Sequence, residues 1–119
     1  MAARITRADQ APPYDPPLHE GVDARRLQGH EASPTERFWV GLSVYHPGGA
    51  ATTAPAAQET VYVVLDGELR LVVEADGIDE TLYAGDSAHL PKGTVRSVTN
   101  RSGIPARLLV VIAHPEAQA

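Results

Sequence analysis

Apolar and polar positions alternate with a period of two along most of this chain, and Gly, Pro, Asp and Asn cut the alternation every eight to twelve residues. That is the pattern of short β-strands joined by tight turns. Residues 38–46, FWVGLSVYH, predict a strand long enough to be central. Its two faces are Trp39, Gly41, Ser43, Tyr45 and Phe38, Val40, Leu42, Val44, His46. Both are largely apolar, so periodicity leaves the inward one open. Residues 59–65, ETVYVVL, form a second strand, and Asp66-Gly67 signals a hairpin into residues 68–73. There Leu69, Leu71 and Val73 face a core while Glu68 and Arg70 face water. Asp76-Gly77 gives another hairpin, and residues 80–83 return. The aliphatic run 106–113, between Pro105 and Pro115, reads as a strand buried on both sides. No stretch shows a capped helical period, so the predicted fold class is all-β, a barrel or sandwich.

The densest turn grammar lies in residues 85–100. Gly85-Asp86 turns the chain into Ser87-Ala88-His89-Leu90, and Pro91-Lys92-Gly93 turns it again. In the strand that follows, Thr94, Arg96 and Val98 share one side and Val95, Ser97 and Thr99 the other, before Asn100 ends it. Gly85, five residues, Pro91-x-Gly93, two residues, Arg96, three residues, Asn100 resembles the second motif of the cupin superfamily, with Arg96 in the histidine place. Upstream, Gly48, five residues, Ala54-x-Ala56, three residues, Thr60, six residues, Gly67 has the spacing of the first motif. The resemblance spans residues 38–114.

The resemblance implies a single-domain cupin-like β-barrel, a double-stranded β-helix or jelly roll, over residues 36–119, preceded by a Pro-rich arm and edge strand over 1–35. In that family two histidines, a glutamate and a later histidine bind a divalent metal. This chain has Ala54, Ala56, Thr60 and Arg96 there. Alanine has no donor atom and arginine stays protonated, so no metal ligands and no cofactor are assigned. Glu59 is one residue from the glutamate place, and that offset turns a strand side chain to the opposite face. By the family pattern Trp39, Ser43 and Tyr45 look into the cavity. If Thr60 and Tyr62 share the inward face, they converge with Arg96, giving ligand-binding candidates Arg96, Thr60, Tyr62, Tyr45, Ser43 and Trp39.

Composition narrows the function classes. The chain has 119 residues, no cysteine and a net charge of −5. One domain is expected, with no disulfide or thiolate chemistry and no broad nucleic-acid or anionic-membrane partner. MAARITRADQ lacks a signal-peptide core and no apolar run is long enough for a membrane helix, so a cytoplasmic protein is expected. Residues 11–17, APPYDPP, hold four prolines and predict an extended arm that Tyr14 anchors or that stays loose. His19 reads as surface decoration, Arg25-Arg26-Leu27 as a short edge strand, and residues 50–58 as a featureless loop. Cupins commonly pair, and the aliphatic run suits a homodimer. Whether the chain is an enzyme is left open between three classes. One is a metal-free module binding a small anionic or aromatic metabolite through Arg96. Another is a metal-independent isomerase, epimerase or cyclase, with Tyr62 or Tyr45 as acid and His46 or His89 as base, His89 being expected to face outward. The third is an interaction dimer with a vestigial, filled site. A dioxygenase using His46 as a ligand is a fallback within the enzyme class.

Overall fold

Period-two alternation becomes sheet almost throughout. The computed structural model describes residues 2–116, and these contain nine strands: β1 Pro13–Tyr14, β2 His19–Gln28, β3 Phe38–Pro55, β4 Thr60–Asp66, β5 Glu68–Val73, β6 Ile78–Tyr83, β7 Ser87–Leu90, β8 Val95–Thr99 and β9 Ala106–Ala113. The helical elements among the described residues are two 3₁₀ turns, Ala8–Gln10 and Glu74–Asp76. All strand pairs are antiparallel, in the order β6-β5-β8-β3-β9-β4-β7, with β2 also on β3 and β1 on β2. β3 pairs with β9 through its first half and with β8 through its second, so one strand serves both halves of a nearly closed barrel.

Three expectations change here. Pro47-Gly48-Gly49 does not end the strand. Val22 lies opposite Tyr45 and Glu20 opposite Ala50, so β2 advances two residues while β3 spans five, and residues 46–49 form a bulge whose exposed part is 46–48. Proline's missing N–H and a Gly48 φ of +82° suit a bulge as well as a turn, and the strand then runs on to Pro55 where a loop was expected. The short edge strand at Arg25–Leu27 is in fact the ten-residue β2, paired along β3. The run in β9 is buried on one face only: Ala106, Leu108 and Val110 are buried, while Arg107 is exposed and Leu109 and Val111 are half-buried.

Inside, Thr60, Tyr62 and Val64 of β4, Leu69, Leu71 and Val73 of β5, Val98 of β8 and Leu108 of β9 are all buried, as alternation requires. The Asp66-Gly67 hairpin packs against the start of β9. A Cβ on Gly67 would sit 2.8 Å from the Ala106 Cα, and its φ of +74° favours glycine independently.

Asn100 is fully buried and ties these parts together. Its Nδ2 donates to Tyr45 O at 2.9 Å and to Ile104 O at 2.7 Å, and its Oδ1 accepts from Ser102 N at 2.9 Å and Ser102 Oγ at 2.7 Å. Its backbone bonds both glycines of the bulge, Gly48 N donating to Asn100 O and Asn100 N to Gly49 O, each at 2.9 Å. Replacing Asn100 by Ala strands buried carbonyls and opens a void. A destabilisation of about 3 kcal/mol is expected in urea or thermal unfolding. A loss below about 1 kcal/mol would show that the amide is dispensable.

Candidate functional site

A cavity of about 470 Å³ opens from one end of the barrel. Inner faces of four strands build it: Trp39, Ser43 and Tyr45 from β3, Thr60 and Tyr62 from β4, Arg96 from β8, Val110 and Ile112 from β9. The N-terminal arm supplies another wall through Tyr14, Asp15 and Leu18, which lead into His19. Leu18 and His30, the two non-glycine residues with positive φ among the described ones, both line the cavity. Such backbone persists only where surrounding structure holds it, and it gathers at functional sites. Leu18 is held by its carbonyl, which accepts from Thr52 N at 2.9 Å and Thr52 Oγ1 at 3.0 Å.

At one pole Arg96 is half-buried. Its Nε donates to the Tyr62 hydroxyl at 3.0 Å, and its Nη1 to Thr52 O at 3.2 Å and Ala54 O at 3.4 Å. Every one of these acceptors is neutral, so no carboxylate offsets the guanidinium charge, and Nη2 has no hydrogen-bond partner among the described residues. Tyr45 is 1% exposed. It opens onto the cavity, and burial holds its phenol far above the ordinary value, hence protonated. The His19 ring lies 6.5 Å from the Tyr45 ring. His19 Nδ1 is 2.8 Å from Pro17 O, and because a carbonyl only accepts, Nδ1 carries the hydrogen. Burial and, more weakly, Arg96 lower the His19 value, against the raising effect of the Pro17 bond.

The other pole is aromatic. Arg26 lies 3.8 Å from the Tyr14 ring centroid and 4.3 Å from that of Trp39, which meet edge to face at 5.5 Å. This sandwich, with Arg26 N donating to Pro12 O at 2.8 Å and Arg25 Nη1 to Ala11 O at 2.9 Å, docks the arm on β2. Beyond Trp39, His30 meets the indole at 5.3 Å and His114 at 5.4 Å. His30 is exposed overall, and partial desolvation of its ring, with the positive charge of Arg26 and the neighbouring His114, lowers its value.

The structure brings all six candidates, Arg96, Thr60, Tyr62, Tyr45, Ser43 and Trp39, to this one cavity. Thr60 arrives with its hydroxyl hydrogen donated to Gln58 O at 2.9 Å, so toward a ligand it can only accept. The two proposed histidine bases stay outside: His46 pairs with Asp23 at 2.8 Å and His89 with Glu59 at 2.7 Å, both exposed. His19, read as surface decoration, lines the wall instead. Asp15, Arg26, His30 and His114 were not singled out, because long-range pairing of β2 and β9 brings them in and no local period marks them. The family's metal does not fit the residues present. Ala54 and Ala56 bring no donor, Thr60 is engaged, and Arg96, opposite Ala54, adds a cation where a cation would bind. Among the described residues no group of three or more His, Cys, Asp or Glu is placed to hold a metal ion.

Comparison with known proteins matches the family model described as Cupin domain to residues 41–112. A protein of Mycobacterium tuberculosis named beta-D-galactosidase is 58% identical over 115 residues, covering 97% of each chain. The solved polyketide cyclase of Streptomyces resistomycificus superposes with a TM-score of 0.80 at 23% identity, over 95% of this chain and 80% of that one, a likeness of fold. A cupin-superfamily sugar phosphate isomerase of Silicibacter pomeroyi gives 0.67 at 27% identity, over 80% and 60%.

Neutral His19 and His30 make stability depend on pH. Their native values lie below the unfolded 6.5, so below that pH the unfolded chain binds more protons than the native one. Their contribution is therefore complete above pH 6.5 and declines as pH falls through the window beneath it. The melting temperature is expected to plateau near neutrality and drop toward pH 5.5, with a shallower drop in a His19→Asn, His30→Asn double variant. An equal slope in that variant would place the sensitivity elsewhere.

Proposed function

The chain belongs to the cupin domain family, and from that premise we propose that its barrel cavity binds and hydrolyses a small β-D-galactoside. The observation that carries this reading is the chemistry of the wall: hydroxyls of Tyr45, Tyr62, Ser43 and Thr60, a neutral imidazole and a half-free guanidinium are interleaved with Val110, Ile112 and Ala54, the cross-strand neighbours of Tyr62, Thr60 and Arg96. A pyranose carries both an edge of donors and acceptors and an apolar C–H face, and so answers a wall of mixed polar and apolar groups. A purely apolar ligand would leave Arg96 Nη2 dry and unanswered, at a cost above the about 1–3 kcal/mol of a neutral group. The volume of about 470 Å³ lies in the range of small-molecule sites. The full-length relative at 58% identity, named as a galactosidase, points to the galactoside, and the sugar phosphate isomerase agrees with a carbohydrate.

Cleaving a glycosidic bond requires a proton for the leaving oxygen. Tyr62 supplies it in this reading. Arg96 Nε–H occupies one lone pair of the phenol oxygen at 3.0 Å, which leaves the phenol O–H to donate into the cavity. Charge developing on that oxygen then meets a fixed cation. No step runs through a metal, since positions 54, 56, 60 and 96 offer no donor set.

A second reading, a small anionic or aromatic metabolite such as a carboxylate or phenolate, is favoured by one observation: Arg96 has no carboxylate partner among the described residues and suits charge-assisted bonding. Thermal-shift titration with galactose, lactose and galacturonate tests both. A ligand at about 100 times its Kd stabilises by about 2.7 kcal/mol, a clear rise in melting temperature. Arg96→Met is expected to weaken binding about 10- to 100-fold. Silence from the galactosides rejects the first reading, silence from the carboxylate the second, and unchanged affinity in Arg96→Met rejects both.

A further inference from the structure

We propose that His19 is the general base of this reaction, taking a proton from the water that attacks the anomeric carbon. The inference rests on the galactoside reading above and adds the residue that activates water. With Nδ1–H spent on Pro17 O at 2.8 Å, a neutral His19 carries its lone pair on Nε2, the ring nitrogen left for the cavity.

The competing bases are disposed of by position. His46 and His89 are tied to Asp23 and Glu59 on the outer surface. His30 and His114 face each other beyond Trp39, and His114 Nε2 lies 2.9 Å from Thr35 Oγ1. Among the described residues Asp15 is the one carboxylate in the wall, so the paired carboxylates of ordinary glycosidases have no counterpart. The charged and titratable groups that face His19 are Arg96 from β8, Tyr45 from β3 and Asp15 from its own arm. Burial and Arg96 favour the neutral ring, which is the form a base needs near neutral pH.

The step balances without a further reactant. Water oxygen bonds to the anomeric carbon as its proton passes to His19 Nε2. The bond from that carbon to the leaving oxygen breaks, its electron pair staying on that oxygen, which takes the Tyr62 phenol proton. The imidazolium then returns its proton to the phenolate through solvent, giving galactose and an alcohol. A single displacement of this kind inverts the anomeric centre, so a β-galactoside releases α-galactose first.

The probe is 4-nitrophenyl β-D-galactoside, with kcat and KM followed against pH and the first-formed anomer read by NMR. His19→Asn keeps a side-chain N–H in the place of Nδ1 for Pro17 O and deletes Nε2; His19→Gln is the second variant should the first not fold. Expected are a kcat lowered by about 100-fold or more, a KM within about threefold, and loss of the acidic limb of the pH profile. Asp15→Asn is expected to keep that limb. If His19→Asn retains rate and limb, if Asp15→Asn loses them in its place, or if β-galactose appears first, the inference is overturned while the galactoside reading stands. A wild-type protein that neither binds nor cleaves the probe overturns the reading itself, and the inference with it.

Discussion

One buried amide sets the geometry on which the cavity depends. Asn100 bonds the Tyr45 carbonyl, both glycines of the β3 bulge and the turn that leads into β9. The bulge lets β3 leave its pairing with β9 and take up β8, and the pairing with β8 sets Ala54 opposite Arg96. Tyr45 and Arg96, far apart in the chain, thereby reach the same cavity. A buried polar group with all its partners satisfied favours one register over its neighbours, because a slip would strand several bonds at once.

Much of this arrangement was legible in the sequence, for a definite reason. Alternation fixes which residues of a strand share a face, so Thr60 with Tyr62, Arg96 with Val98 and Trp39 with Ser43 and Tyr45 followed once an inward face was chosen. The spacing of Gly85, Pro91, Gly93 and Asn100 supplied that choice through the cupin resemblance. What alternation cannot supply is pairing between distant segments. His19 sits in LHEG with no local signal, and it becomes a wall residue only because β2 lies along β3. The Pro-Gly-Gly at 47–49 was ambiguous for a related reason, since the same residues end a strand or bulge from it, and the partner strand decides. Tyr14 marked the arm as anchored or loose, and the stacked Arg26 that holds it lies on another element.

Net charge was a poor guide to the cavity. The chain is acidic at −5, yet the wall carries two guanidinium groups and one carboxylate. Acidic side chains are occupied on the outside, where Asp66 pairs with Arg107 at 2.7 Å, Asp79 with Arg70 at 2.6 Å, Asp23 with His46 and Glu59 with His89. Such exposed pairs contribute little to stability. Of the two wall guanidinium groups Arg26 pairs with Glu31 at 3.3 Å, which leaves Arg96 as the one without a carboxylate partner among the described residues.

Placing arginine where the family places a metal-binding histidine changes the kind of chemistry available. A metal polarises by direct coordination and exchanges its ligands as the reaction proceeds. A guanidinium instead holds a fixed orientation, here set by Tyr62, Thr52 and Ala54, and delivers its positive charge through hydrogen bonds without reorganising. The charge it can best answer is one that develops on an oxygen already in contact, and that oxygen is the Tyr62 phenol. In the proposed reading, arginine at this position makes the neighbouring Tyr62 the proton donor and leaves water activation to His19, the neutral imidazole that the N-terminal wall brings to the same pole.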